Sequence, residues 1–129
     1  MEKNIIQTSS APKAIGPYSQ AVDTGEWVFC SGQIPLNPQT MEFAASDVKG
    51  QTEQVLKNLA AVLEAADLSL ADVVKTTVFM KDLSQFPIMN EVYEAHFSKA
   101  SKKFPARSTV EVSALPKGAL VEIEAIAKK

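Results

Sequence analysis

The sequence predicts an α+β fold: one mixed β-sheet with two helices packed on one face. Three observations predict it. Two segments carry apolar residues at three- and four-residue steps, the spacing of one helix face. Short β-branched or alternating runs surround them. The order along the chain is strands, helix, strand, helix, strand, strand, which lets both helices cover the same side of a sheet. With 129 residues and 46% hydrophobic content, residues 1–129 are expected to form one domain around one core.

Each element has its own signal. Ile5 to Thr8 reads as a short strand. Ala11-Pro-Lys-Ala-Ile-Gly-Pro-Tyr-Ser-Gln-Ala21 holds two prolines and a glycine, so it is expected to be an ordered loop. Trp27 to Cys30 is an apolar strand that Ser31-Gly32 should end, and Pro35, Asn37 and Pro38 mark a turn. From about Asp47 to Ala66, Val48, Val55, Leu56, Leu59, Val62, Leu63 and Ala66 define one helix face. Ser69-Leu-Ala-Asp72 resembles a capping signal for a short turn. Val73 to Met80 is β-branched and predicts a strand. A second helix is expected after Asp82 or Ser84, with Phe86, Met89, Val92, Tyr93, His96 and Phe97 as its apolar stripe and Lys99 near its C-terminus, where a cation suits the dipole. Pro105 ends that region.

Two strands close the chain. In Arg107 to Ser113, Ser108, Val110 and Val112 share one face and Arg107, Thr109 and Glu111 the other. In Leu120 to Ala127, Val121, Ile123 and Ala125 look toward the core, while Glu122, Glu124 and Ile126 look away. The sheet face away from the helices is therefore expected to carry Arg107, Glu111, Glu122 and Glu124 mixed with apolar residues. Such a face is too apolar to stand bare and too charged for an internal core, which predicts contact with other subunits. A polar cleft between subunits would suit a substrate.

Composition excludes several functions. The net charge is −2, without the basic footprint of a nucleic-acid binder. One cysteine, Cys30, makes no intrachain disulfide, and its apolar strand suggests a buried structural residue. With one Cys and one His, no metal site is expected, and neither a P-loop nor a dinucleotide fingerprint calls for a cofactor. His96 is read as a packing or surface residue. No signal peptide and no bilayer-spanning run of about 20 apolar residues is seen, so a cytoplasmic protein without a membrane partner is expected.

The cations number twelve lysines and one arginine, Arg107. Lysine is a point charge, whereas arginine offers a planar fork that grips a carboxylate through two bonds. A structural salt bridge, with Glu111 or another acid, is an equal alternative on composition alone. Arg107, Glu122, Tyr18, Ser31 and Gly32 form a candidate set: arginine to fix an anion, a carboxylate to handle a water proton, and backbone beside glycine to approach a ligand closely. Sequence spacing does not show that these residues meet.

Three segments of the chain, Ala11–Ala21, Ser31-Gly-Gln-Ile-Pro35 and Pro105-Ala-Arg-Ser-Thr-Val-Glu-Val112, closely resemble the RidA/YjgF family of enamine/imine deaminases. The likeness continues through Leu115-Pro116 and Val121-Glu-Ile-Glu-Ala-Ile126, and Asn90-Glu-Val-Tyr93 also fits. It implies a chorismate-mutase-like fold, a homotrimer with clefts at its interfaces, and hydrolysis of short 2-imino acids such as 2-iminopropanoate and 2-iminobutanoate, or their enamine tautomers, to 2-oxo acids and ammonia. It implies that Arg107 grips the substrate carboxylate, that Glu122 activates water with help from the main-chain carbonyl of Thr109, and that Tyr18, Ser31, Gly32 and Asn90 line the cleft, some from a neighbouring subunit. No metal or cofactor is implied. Many members carry cysteine where this chain has Thr109; a role through the backbone alone would survive that change. The resemblance also brings ribonuclease or translation inhibition as an alternative, and a non-catalytic binder of small carboxylates would use the same cleft.

Overall fold

A computed structural model describes residues 2–129. The sheet has six strands: β1 (Asn4–Ile6), β2 (Ala21–Asp23), β3 (Trp27–Gln33), β4 (Val73–Met80), β5 (Ala106–Glu111) and β6 (Val121–Lys128). Two helices, α1 (Val48–Ala65) and α2 (Phe86–Ala100), complete the framework. The strand order is β1-β2-β3-β6-β4-β5. Only the β4–β5 pair is parallel, and α2 makes its crossover. The α+β class and the mixed sheet stand as expected. Among the described residues no helix is long and apolar enough to cross a membrane.

Helix α1 begins where its cap dictates. Asp47 accepts a hydrogen bond from Gly50 N at 3.0 Å and starts α1. Val55, Leu56, Leu59, Val62 and Leu63 of α1 are fully buried. Each apolar side chain of this size contributes roughly 1.5–3 kcal/mol by leaving water. They meet Val121, Ile123, Ala125 and Ala127 of β6, and Met89, Val92 and Phe97 of α2 enter the same core. Ser69 and Asp72 form the expected capping box around the turn Leu70–Asp72.

Three features depart from expectation. Strand β2 carries no sequence signal, because three residues are too few for periodicity; it is formed by pairing with β3 across a turn at Gly25. Strand β3 runs past Ser31-Gly32 to Gln33. Opposite β6, Cys30 pairs with Ala125 and Gln33 with Ile123, so β3 spends one extra residue there. That bulge turns the backbone of Ser31 and Gly32 out of the regular pleat.

The third departure is a correction of faces. Thr76, Val78 and Met80 are fully buried under the helices, and their partners on β5 are Arg107, Thr109 and Glu111. Glu122 and Glu124 pair with Phe79 and Thr77 on the opposite, open face. Arg107 and Glu122 thus lie on opposite sides of the sheet rather than on one mixed face. The reason is that hydrophobicity does not distinguish the two sides: the open face shows Ile5, Phe29 and Val110 to solvent at 53%, 46% and 40% exposure.

Candidate active site

Arg107 stands on β5, the edge strand beside α2. Phe86, Asn90 and Tyr93 recur at helical spacing on α2 and present one face to it. The guanidinium carbon sits 4.7 Å from the centre of the Tyr93 ring and 5.4 Å from that of Phe86. Nη1 donates to Asn90 Oδ1 at 2.8 Å. All three holders are neutral. The ion pairs among the described residues are His96–Glu53 and Lys129–Asp23, and Arg107 is in neither. Glu111, the acid that could have claimed it, instead accepts from Leu83 N at 2.9 Å. The salt-bridge alternative for the lone arginine therefore fails. Arg107 opens into a cavity of about 370 Å3 shared with Asn90, Tyr93, Glu94, Phe104 and Pro105. Thr109 follows two residues on, on the same face and half-buried.

Glu122 belongs to a second cluster. It is half-buried on the open face of β6, and that burial, reinforced by the charge of Glu124, raises its carboxyl above the ordinary glutamate range. Its carboxylate lies against Gly32 so closely that a Cβ there would overlap it. Ser31 fastens the bulge to the preceding loop: Oγ donates to Ser19 O at 2.6 Å and the backbone N to Gln20 O at 3.0 Å. Gln20, buried, anchors that loop through bonds to both backbone groups of Thr8 and to Pro12 O. Tyr18 is left exposed at the loop's end and shares a cavity of about 210 Å3 with Gly32, Leu36 and Pro116.

The expected site residues thus fall into two groups. Arg107, Asn90 and Thr109 gather on the helix side at the β5 edge. Tyr18, Ser31, Gly32 and Glu122 gather at the β3 bulge and the open face. The sequence reading missed Phe86 and Tyr93, which it placed in a core stripe. His96 lies on the seam between α1 and α2, 3.1 Å from Glu53 and away from both groups. Cys30 is buried, and desolvation pushes its thiol up to about 12, so it stays protonated at neutral pH.

A family model described as Endoribonuclease L-PSP matches residues 8–129. The chain belongs to this family, the RidA/YjgF proteins. One family relative, the 2-iminobutanoate/2-iminopropanoate deaminase of Escherichia coli K12, is 55% identical over 122 residues, covering 95% of this chain and 94% of that protein. A RutC family protein of Pyrococcus horikoshii is 54% identical and covers 98% of each. Among solved structures of the family, Escherichia coli TdcF with bound serine superposes with a TM-score of 0.95 at 50% identity, covering 98% of this chain and 99% of that one. The Escherichia coli YjgF product gives 0.94 at 52% identity, with 98% of each covered.

Proposed function

We propose that this protein hydrolyses short 2-imino acids, such as 2-iminopropanoate and 2-iminobutanoate, to 2-oxo acids and ammonia. The observation that carries the reading is the state of Arg107: a cation without a carboxylate partner, held by neutral groups and open to a cavity. The relatives named as imine deaminases supply the reaction class.

The chemistry follows from the groups. One Arg107 donor is committed to Asn90, leaving others of the fork to bind the substrate carboxylate through two bonds. The imine carbon beside that carboxylate is electrophilic. Glu122, whose burial raises its pKa, is a stronger base than an ordinary glutamate. It takes a proton from water as the oxygen bonds to the imine carbon, and returns it to nitrogen. The carbinolamine then collapses: its hydroxyl proton passes through Glu122 to the amino nitrogen, the C=O bond forms, the C–N bond breaks, and ammonia and the 2-oxo acid leave. The Thr109 carbonyl accepts the second hydrogen of the water, and the Gly32 backbone, with Tyr18 and Ser31, borders the substrate.

For this the two clusters must meet, and within one chain they occupy opposite sides of the sheet. We assign the complete site to two protomers, Arg107, Asn90 and Thr109 from one and Tyr18, Ser31, Gly32 and Glu122 from the next. Two different patches joined in this way make a head-to-tail contact, which forms a ring when the rotation between protomers closes; the family resemblance implies a ring of three. The exposed apolar side chains of the open face and the unpaired edge of β5 support burial between protomers.

The direct test is hydrolysis of enzymatically generated 2-iminopropanoate. Arg107→Ala and Arg107→Lys should each lose about tenfold or more in kcat/KM, because lysine lacks the fork. Full activity in both variants would contradict the reading. The family description also names an endoribonuclease; RNA cleavage that depends on Arg107 or Glu122 would favour that function instead.

A further inference from the structure

Arg107 is held in place by its neighbours on α2 and, through them, by β4. The Tyr93 ring lies beneath the guanidinium, and its hydroxyl is 2.7 Å from Thr76 Oγ1 in a buried hydrogen bond. Thr76 is fully buried, Tyr93 is 4% exposed, and Thr76 is the register partner of Arg107 across the parallel β4–β5 pair. The contacts therefore close a loop: β4 holds the tyrosine, the tyrosine supports the arginine, and the arginine stands on the strand beside β4. Asn90, one helical turn before Tyr93, fixes Nη1 from the side. Burial raises the phenol pKa and keeps the ring neutral beneath the cation, even though the Thr76 hydrogen bond and the Arg107 charge both pull it down.

From this geometry we infer that Tyr93 and Thr76 are positioning residues for substrate binding, setting the plane in which the Arg107 fork meets a carboxylate. This rests on the proposed role of Arg107. An exposed arginine samples many rotamers, and only some present two donors in line with a carboxylate. A flat ring below and one hydrogen bond at the side restrict that freedom before substrate arrives, so less entropy is lost on binding. The ring alone cannot do this if it can tilt. Its tether to Thr76 makes the surface rigid, and Thr76 therefore acts two residues removed from substrate.

The carboxylate is bound equally in substrate and transition state, so loosening its anchor should raise KM more than it lowers kcat. Tyr93→Phe keeps the ring and removes the hydroxyl, and Thr76→Val keeps the shape and removes the partner. Each is expected to raise KM for 2-iminopropanoate about three- to tenfold with kcat within about twofold, from loss of one buried hydrogen bond. The double variant should be no worse than the poorer single one, since both remove the same bond. Thr76→Ser restores the hydroxyl and should keep the wild-type KM. Arg107→Ala is measured alongside, and melting temperatures are recorded for all. Wild-type KM in Tyr93→Phe and Thr76→Val beside a raised KM in Arg107→Ala would overturn the inference alone. So would a drop in melting temperature with no change in KM, the pattern of a purely structural bond. Unchanged kinetics in Arg107→Ala would overturn the role of the arginine itself, and the positioning role with it.

Discussion

Glu122 and Gly32 are two halves of one device. The carboxylate occupies the space that a side chain at position 32 would take, and the resulting burial raises its pKa. Gly32→Ala must push the end of a flexible side chain aside. The fold should therefore persist, with a melting temperature within a few degrees, while kcat falls about tenfold or more because the proposed base leaves its place. A base works when deprotonated, so activity should fall as pH drops through the raised Glu122 pKa. Glu124 is the secondary cause of the rise. In Glu124→Gln that charge is gone, the pKa moves down, and the acidic limb of the kcat profile should shift to lower pH. An unmoved limb would detach the profile from Glu122. Arg107 was conspicuous in the sequence as the single arginine, and its family motif drew attention to its surroundings. Its supports were not legible there: Tyr93 and Phe86 obey the helical spacing of core residues, and nothing local distinguishes a ring that faces the core from one that carries a cation.

At the scale of elements, long periodic segments were legible and short ones were not. Helix α1 announces itself through its apolar spacing, because that signal is local; its Asp47 cap came from the structure. Its centre supports the core: Leu59→Ala should cost about 2–5 kcal/mol in a denaturant titration. Strand β2 exists only because β3 pairs with it. The 11–20 loop shows the same limit. Its prolines predicted order, but the order comes from Gln20, whose amide binds Thr8 and Pro12 at long range. Gln20→Ala should destabilise the protein by about 1–3 kcal/mol and leave those backbone groups unsatisfied. It should also raise KM, since the same loop carries Tyr18. A change in stability without a change in KM would separate the loop from the site. The face of β5 could not be read from alternation, because both sides of this sheet carry apolar residues and alternation gives the pairing of residues, not which side is covered.

At the scale of the whole molecule, that two-sided sheet is the informative feature. One side is covered by α1 and α2. The other displays Phe29 and Val110 beside Glu122, and β5 leaves one edge unpaired. A solitary chain would expose this surface and keep Arg107 and Glu122 apart on opposite faces. The proposed assembly would resolve both and would make activity a property of the oligomer: Phe29→Asp, which places a charge on the open face, should lower the mass seen by light scattering and abolish hydrolysis together. The claim that each site takes Arg107 from one protomer and Glu122 from the next has one decisive measurement. Arg107→Ala and Glu122→Gln, each defective alone, are co-assembled in equal amounts and assayed on 2-iminopropanoate. Random pairing around a ring gives about a quarter of the sites an intact arginine and an intact glutamate, so activity should return to roughly a quarter of wild type. Mixed oligomers that remain as defective as their parents would contradict the shared site.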